Sequence, residues 1–132
     1  VGAMSVGSSS PWWQTFKTLM FATDIVPFPA TFEEDPNVAT REAQALEKLA
    51  ELLRKNPQSY AGIFIEPLVQ GAAGMRLCRP QFLQELAQLA RQYGVLLIYD
   101  EIMTGFGRTG ELFACVKSST YPDILCLSKG LS

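Results

Sequence analysis

Two short apolar runs, Ala61-Gly62-Ile63-Phe64-Ile65 and Val95-Leu96-Leu97-Ile98-Tyr99, flank one amphipathic helix pattern, and this order constrains the fold more than anything else in the sequence. Between them Pro80 stands at a helix start, Phe82, Leu86, Leu89 and Tyr93 recur on one face, and Gly94 suits a left-handed cap. Strand, helix and strand make a βαβ unit, whose crossover is right-handed in nearly all proteins. The expected fold class is therefore α/β, a mostly parallel sheet with helices on its faces. Upstream, Leu46, Leu49, Ala50 and Leu53 fall at i, i+3, i+4 and i+7. They predict a helix from about Asn37 to Lys55, ended by Asn56-Pro57 and packed on the sheet. The aromatic-rich stretch from Trp12 to Phe32, broken by Pro27 and Pro29, has neither period and is expected to cover a surface. Gly7-Ser8-Ser9-Ser10-Pro11 reads as a loop.

Size and charge narrow the possible partners. A chain of 132 residues with 48% hydrophobic content supports one modest core, so one α/β domain or a piece of one is expected. It opens on Val1 rather than methionine and stops soon after Lys129, which points to a piece of something longer. Eleven basic and thirteen acidic side chains give a net charge of −2, and the basic ones are scattered, so no groove that tracks nucleic-acid phosphates is expected. Cys78, Cys115 and Cys126 lack paired metal-ligand spacing and the chain has no histidine, so no metal site is expected. The three read as free thiols in a reducing compartment, two of them in the core. No apolar stretch approaches the roughly 20 residues that span a bilayer, and Val1 to Ser5 lacks the charged and apolar regions of a secretory leader. A cytoplasmic protein with no membrane partner is the expectation.

In open parallel sheets, ligands collect beyond the carboxyl ends of the strands. Three apolar runs here lead to Glu66, to Asp100 and, past Ile124-Leu125-Cys126-Leu127, to Lys129. If the strands are parallel neighbours, two carboxylates and one amine converge on one rim, and a Schiff base is the chemistry such a lysine does best. Other readings compete. Leu96 to Tyr99 followed by Asp100-Glu101 also fits a Walker B element whose acid holds Mg²⁺, although the chain has no Gly-x-x-x-x-Gly-Lys-Ser/Thr loop. Gly105-Phe106-Gly107-Arg108-Thr109-Gly110 matches Gly-x-Gly-x-x-Gly, but it stands off from the strand, and Asp123 follows sooner than the roughly 20 residues of a dinucleotide fingerprint. Singly, Asp100 reads as a capping acid, Lys129 as a solvated lysine and Glu66 as a strand terminus.

The stretches Gly2-Ala3-Met4-Ser5-Val6, Ile65 to Met75, Asp100 to Gly110 and Pro122 to Lys129 resemble, in order and over nearly the whole chain, the class III pyridoxal-phosphate aminotransferases. The 29-residue step from Asp100 to Lys129 also fits that family. The resemblance implies a fold-type-I enzyme in which residues 1–132 form part of the large cofactor-binding domain. The N-terminal segment and small C-terminal domain then lie outside the chain, with the phosphate cup, the ring-stacking tyrosine and the substrate arginine. It implies that Lys129 forms a Schiff base with the aldehyde of pyridoxal 5'-phosphate and later carries the proton between substrate carbon and cofactor. It further implies that Asp100 faces the pyridine nitrogen, that Ile102 packs on the ring, that Glu66 and Gln70 lie near the cofactor, and that the intact enzyme is a homodimer. Within the family the chain is most similar to the branch that uses S-adenosylmethionine as amino donor and 8-amino-7-oxononanoate as acceptor in biotin biosynthesis. Some relatives that act on ω-amino acids with 2-oxoglutarate carry a glutamate where Ala72 stands here, and its absence favours the same branch. Ornithine or 4-aminobutyrate aminotransferases and aminomutases remain alternatives, as do an ATPase fragment and a non-catalytic interaction fragment.

Overall fold

The computed structural model describes residues 1–7, 11–56 and 58–131, with the side chains of residues 11–13 left aside. Most of the expected loop at Ser8 to Ser10, and the helix-ending Pro57, lie outside the described residues. In chain order the elements are α1 (Gly2–Ser5), a 3-10 helix (Pro11–Leu19), α2 (Val38–Lys55), β1 (Gly62–Ile65), β2 (Val69–Gln70), β3 (Arg76–Leu77), α3 (Pro80–Tyr93), β4 (Leu96–Asp100), α4 (Ala114–Ser118) and β5 (Ile124–Cys126). Strands β1, β4 and β5 form a parallel sheet in that order. Gly62 stands opposite Leu96, Ile65 opposite Tyr99, and Asp100 opposite Cys126. The α/β expectation is met.

Helix α3 connects β1 to β4 and begins at Pro80, whose missing N–H costs nothing in a first turn. It ends at Gly94, where φ is +67° and the N–H reaches the carbonyls of Ala90 and Arg91. Its buried face is Phe82, Leu83, Leu86, Ala87 and Ala90, with Leu89 and Tyr93 at the edge. The expected stripe is thus rotated toward Leu83 and two alanines. Helix α2 buries Glu42, Ala45, Leu49 and Leu53 and packs chiefly on α3, where the sequence suggested the sheet itself. Its start is held by the buried Asp35, which accepts from the Asn37 N–H at 3.0 Å and the Thr31 hydroxyl at 3.1 Å and pairs with Arg41. A two-pronged ion pair between Glu42 and Arg79 ties α2 to the residue preceding α3.

Residues alternate across the sheet as the pleat requires. Leu97 and Tyr99 of β4 are buried among the helices, and Ile63, Ile65 and Leu125 pack with them. On the other face Phe64, Leu96 and Ile124 are 38%, 46% and 45% exposed, so within this chain the sheet is covered on one side. The Tyr99 hydroxyl is satisfied by Thr120 at 2.8 Å, which in turn meets Ser118 at 2.6 Å.

Several elements differ from expectation. A 3-10 helix occupies Pro11–Leu19, and among the described side chains it is the later part of the aromatic-rich stretch that covers the core, through Val26, Phe28 and the buried Pro29. Phe16, Leu19, Phe21 and Ile25 are exposed. The β2–β3 hairpin, paired Val69 with Leu77 and Gln70 with Arg76, and helix α4 were not anticipated. Segments of two to five residues are too short to carry a period. Cys78 and Cys115 are buried and Cys126 half-buried, all three as free thiols. Among the described residues no helix is long and apolar enough to cross a membrane.

Candidate functional site

Because β1, β4 and β5 run the same way, Glu66, Asp100 and Lys129 leave the sheet at one edge. Asp100 closes β4 opposite Cys126, and Lys129 comes three residues after that cysteine. Asp100 is half-buried, and its Oδ1 accepts from the Ile102 N–H at 3.0 Å, the local turn by which aspartate redirects a chain. A cleft of about 370 Å³ opens at this edge, with Lys129 and Gly130 on one side and Ile102, Met103 and the Gly105–Arg108 turn on the other. The structure therefore brings Lys129 and Ile102 into one cleft; Asp100 is not part of its lining and is joined to it by the hydrogen bond to Ile102. Glu66 is engaged elsewhere: its Oε2 accepts from the Gly71 N–H at 2.8 Å and clips the β2–β3 hairpin to the end of β1. Gln70 is half-buried within that hairpin, paired with Arg76.

Glu101 is fully buried and organises the loop that walls the cleft. Its two oxygens accept from the N–H groups of Ala114 at 2.6 Å and Cys115 at 2.8 Å, the first turn of α4. A carboxylate at a helix start satisfies donors that have no partner within the helix. The same anion and burial push the Cys115 thiol up from its ordinary pKa, burial being the larger cause. Burial pushes the Tyr99 phenol up to about 12, against a smaller opposing effect of its bond to Thr120. Cys78 is likewise pushed up to about 12 by burial.

Residues 1–132 match the model of the aminotransferase class-III family over their full extent. The chain belongs to that family. It is 49% identical over 131 residues to the adenosylmethionine-8-amino-7-oxononanoate aminotransferase of Synechococcus elongatus, covering 99% of this chain and 30% of that one. Among solved structures it resembles the lysine aminotransferase of M. tuberculosis in its internal aldimine form, with a TM-score of 0.82 and 28% identity, covering 96% of this chain and 29% of that one. An (S)-enantioselective omega-transaminase from Thermomicrobium roseum gives a TM-score of 0.80 at 31% identity, covering 98% of this chain and 29% of the other. The chain thus spans about 30% of the length of the relatives it matches.

Membership of the class-III family removes two readings that the motifs had left open. In a Walker B element the acids face a metal, whereas Glu101 of this class-III chain is closed inside the protein on the backbone of α4. The Gly105–Gly110 motif forms a turn rather than a strand-to-helix phosphate loop. Asp123 accepts from the Leu97 N–H and returns its own N–H to the Leu97 carbonyl, both at 2.8 Å, and so pins the register of β5 on β4. Sequence reasoning passed over Phe106 and Arg108 as parts of the cleft. The available signal was their place inside Gly105–Gly110, which reads both as a nucleotide fingerprint and as part of a family motif, neither of which assigns these two side chains to a site.

Proposed function

We propose that this chain is part of the large cofactor domain of a pyridoxal-phosphate-dependent enzyme. That enzyme transfers an amino group from S-adenosylmethionine to 8-amino-7-oxononanoate, giving 7,8-diaminononanoate. The observation that carries the reading is the 49% identity to an enzyme of that name along the whole of this chain. The rim suits the cofactor: Lys129 and the aliphatic Ile102 line one cleft, and the half-buried Asp100 carboxylate, hydrogen-bonded to Ile102, stands beside it, so that an amine, an apolar surface and an acid are available to a planar ring with a basic nitrogen at one end and an aldehyde at the other. When bound, pyridoxal phosphate supplies an aldehyde that condenses with amines and a ring that accepts an electron pair.

Each residue then has a defined task. Lys129 would hold the cofactor through its aldehyde and, as a free amine, would serve as the base and acid that carries the substrate-carbon proton. Asp100 would hold a proton on the ring nitrogen, because a carboxylate beside a basic nitrogen favours the charged form. Ile102 would offer the ring an aliphatic surface, and Glu66 would act through the hairpin it clips. The hairpin turn carries Ala72 and no acid between Gly71 and Gly74, which supports a donor other than an ω-amino acid. The intact protein acts as a cytoplasmic homodimer in this reading.

The test uses the intact enzyme loaded with pyridoxal phosphate and follows the cofactor absorbance on adding S-adenosylmethionine, ornithine or 4-aminobutyrate. Conversion to the amino form of the cofactor by S-adenosylmethionine alone is the expected result. Conversion only by an ω-amino acid would move the protein to another branch of the family, and failure to bind cofactor would overturn the reading altogether.

A further inference from the structure

We propose that Phe106 is a positioning residue for Lys129, holding that lysine's backbone in place through Gly130. The inference rests on the role given to Lys129 above. Lys129 has φ +50° and Phe106 φ +59°, so two non-glycine residues facing one cleft both adopt the left-handed conformation. Such backbone persists only where its surroundings hold it, and it gathers at sites where geometry matters. After Cys126 the chain leaves the sheet, so no strand pairing fixes Lys129.

The packing shows what holds it instead. A Cβ placed on Gly130 would lie 2.6 Å from Cγ and 2.9 Å from Cβ of Phe106. Those atoms are the root of the side chain, so no rotation about χ2 would clear them, and residue 130 must be glycine for the two segments to approach this closely. Phe106 is braced in turn. Its ring meets Phe113 edge-on, with centroids 5.6 Å apart and planes at 68°. Phe113 packs on the core and immediately precedes Ala114, whose N–H is bound by the buried Glu101. A line of packed groups therefore runs from the end of β4 through Glu101, Phe113 and Phe106 to the residue after Lys129. Asp100, at the start of that line, and Lys129, at its end, are held in one frame.

The experiment compares wild-type intact enzyme with Phe106→Ala, Phe106→Tyr, Gly130→Ala, the Phe106→Ala/Gly130→Ala double variant and Lys129→Ala. In the cofactor-free protein, an amine-reactive ester labels lysines, and peptide mass spectrometry gives the labelling rate of Lys129 relative to the remote, exposed Lys55. Phe106→Ala is expected to change that ratio at least about threefold and to lower kcat about 10- to 100-fold with KM within about twofold, while Phe106→Tyr behaves as wild type. Gly130→Ala is expected to match Phe106→Ala, and the double variant to be less impaired than the two losses combined, because both changes act on one contact. If Phe106→Ala does not fold, Gly130→Ala carries the same test from the other side of the contact. A folded Phe106→Ala or Gly130→Ala protein with the wild-type labelling ratio and kcat overturns the proposal. A cofactor adduct that survives in Lys129→Ala overturns the underlying role of Lys129 instead.

Discussion

In the proposed function Asp100 and Lys129 do different work, and single substitutions should separate it. Replacing Lys129 with Ala removes both the covalent link and the proton carrier; kcat of the intact enzyme should fall by at least about 10²- to 10⁴-fold and the visible cofactor–lysine absorbance should vanish. Asp100 has a second duty, because its Oδ1 also holds the Ile102 N–H. Asp100→Asn keeps an acceptor for that turn and removes the charge. It should lower kcat by about 10²- to 10³-fold while thermal unfolding stays near wild type. Equal turnover in wild type and Asp100→Asn would remove the proposed action on the ring nitrogen. Both positions could be singled out in the sequence because each follows an apolar run. The engagement of Glu66 with Gly71 could not, since a carboxylate followed by proline says nothing of which loop folds back on it.

The loop from Glu101 to Phe113 depends on one buried acid. Glu101→Ala leaves the N–H groups of Ala114 and Cys115 without an acceptor in a buried place, at about 1–3 kcal/mol each. Urea unfolding of the intact protein should therefore show a loss of about 2–5 kcal/mol, with Glu101→Gln recovering part through its amide oxygen. An unchanged midpoint for Glu101→Ala would contradict this account of α4. Among the elements, α3 could be read in advance because Pro80, Gly94 and a repeated apolar face each carry a local physical signal. The five residues of α4 carry none, and the groups that start the helix are met by a side chain 13 and 14 positions earlier. The same limit hid the β2–β3 hairpin, which is held by Glu66 and by a bridge from Thr31 to Leu77.

Taken as one molecule, the chain buries two weak acids in neutral form. Tyr99 and Cys78 are both raised to about 12, from ordinary values of 10.0 and 9.0, chiefly by burial. A folded pKa above the unfolded one means that the native state holds more protons in that window, so stability is complete below about pH 9 and falls as pH rises toward 12. Denaturant unfolding of the intact protein between pH 8 and 11 at fixed salt should show this fall, with pH values chosen to span about half of that window. Tyr99→Phe, which has no phenol to ionise, should flatten the part above about pH 10, although it also leaves Thr120 one partner short. An identical pH profile for wild type and Tyr99→Phe would exclude the phenol as a contributor.

Apolar runs, a proline and a glycine at the ends of one helix, and four ordered motifs were enough to specify the parallel sheet, the family and the sheet edge at which Asp100 and Lys129 emerge. These signals are local, so they survive in a one-dimensional string. The cleft, the closure of Glu101 on α4 and the contact of Phe106 with Gly130 depend on segments distant in sequence that meet only when the chain packs. Their partners are chosen by shape and by the need to satisfy buried polar groups, and neither is written in the spacing of residues along the chain.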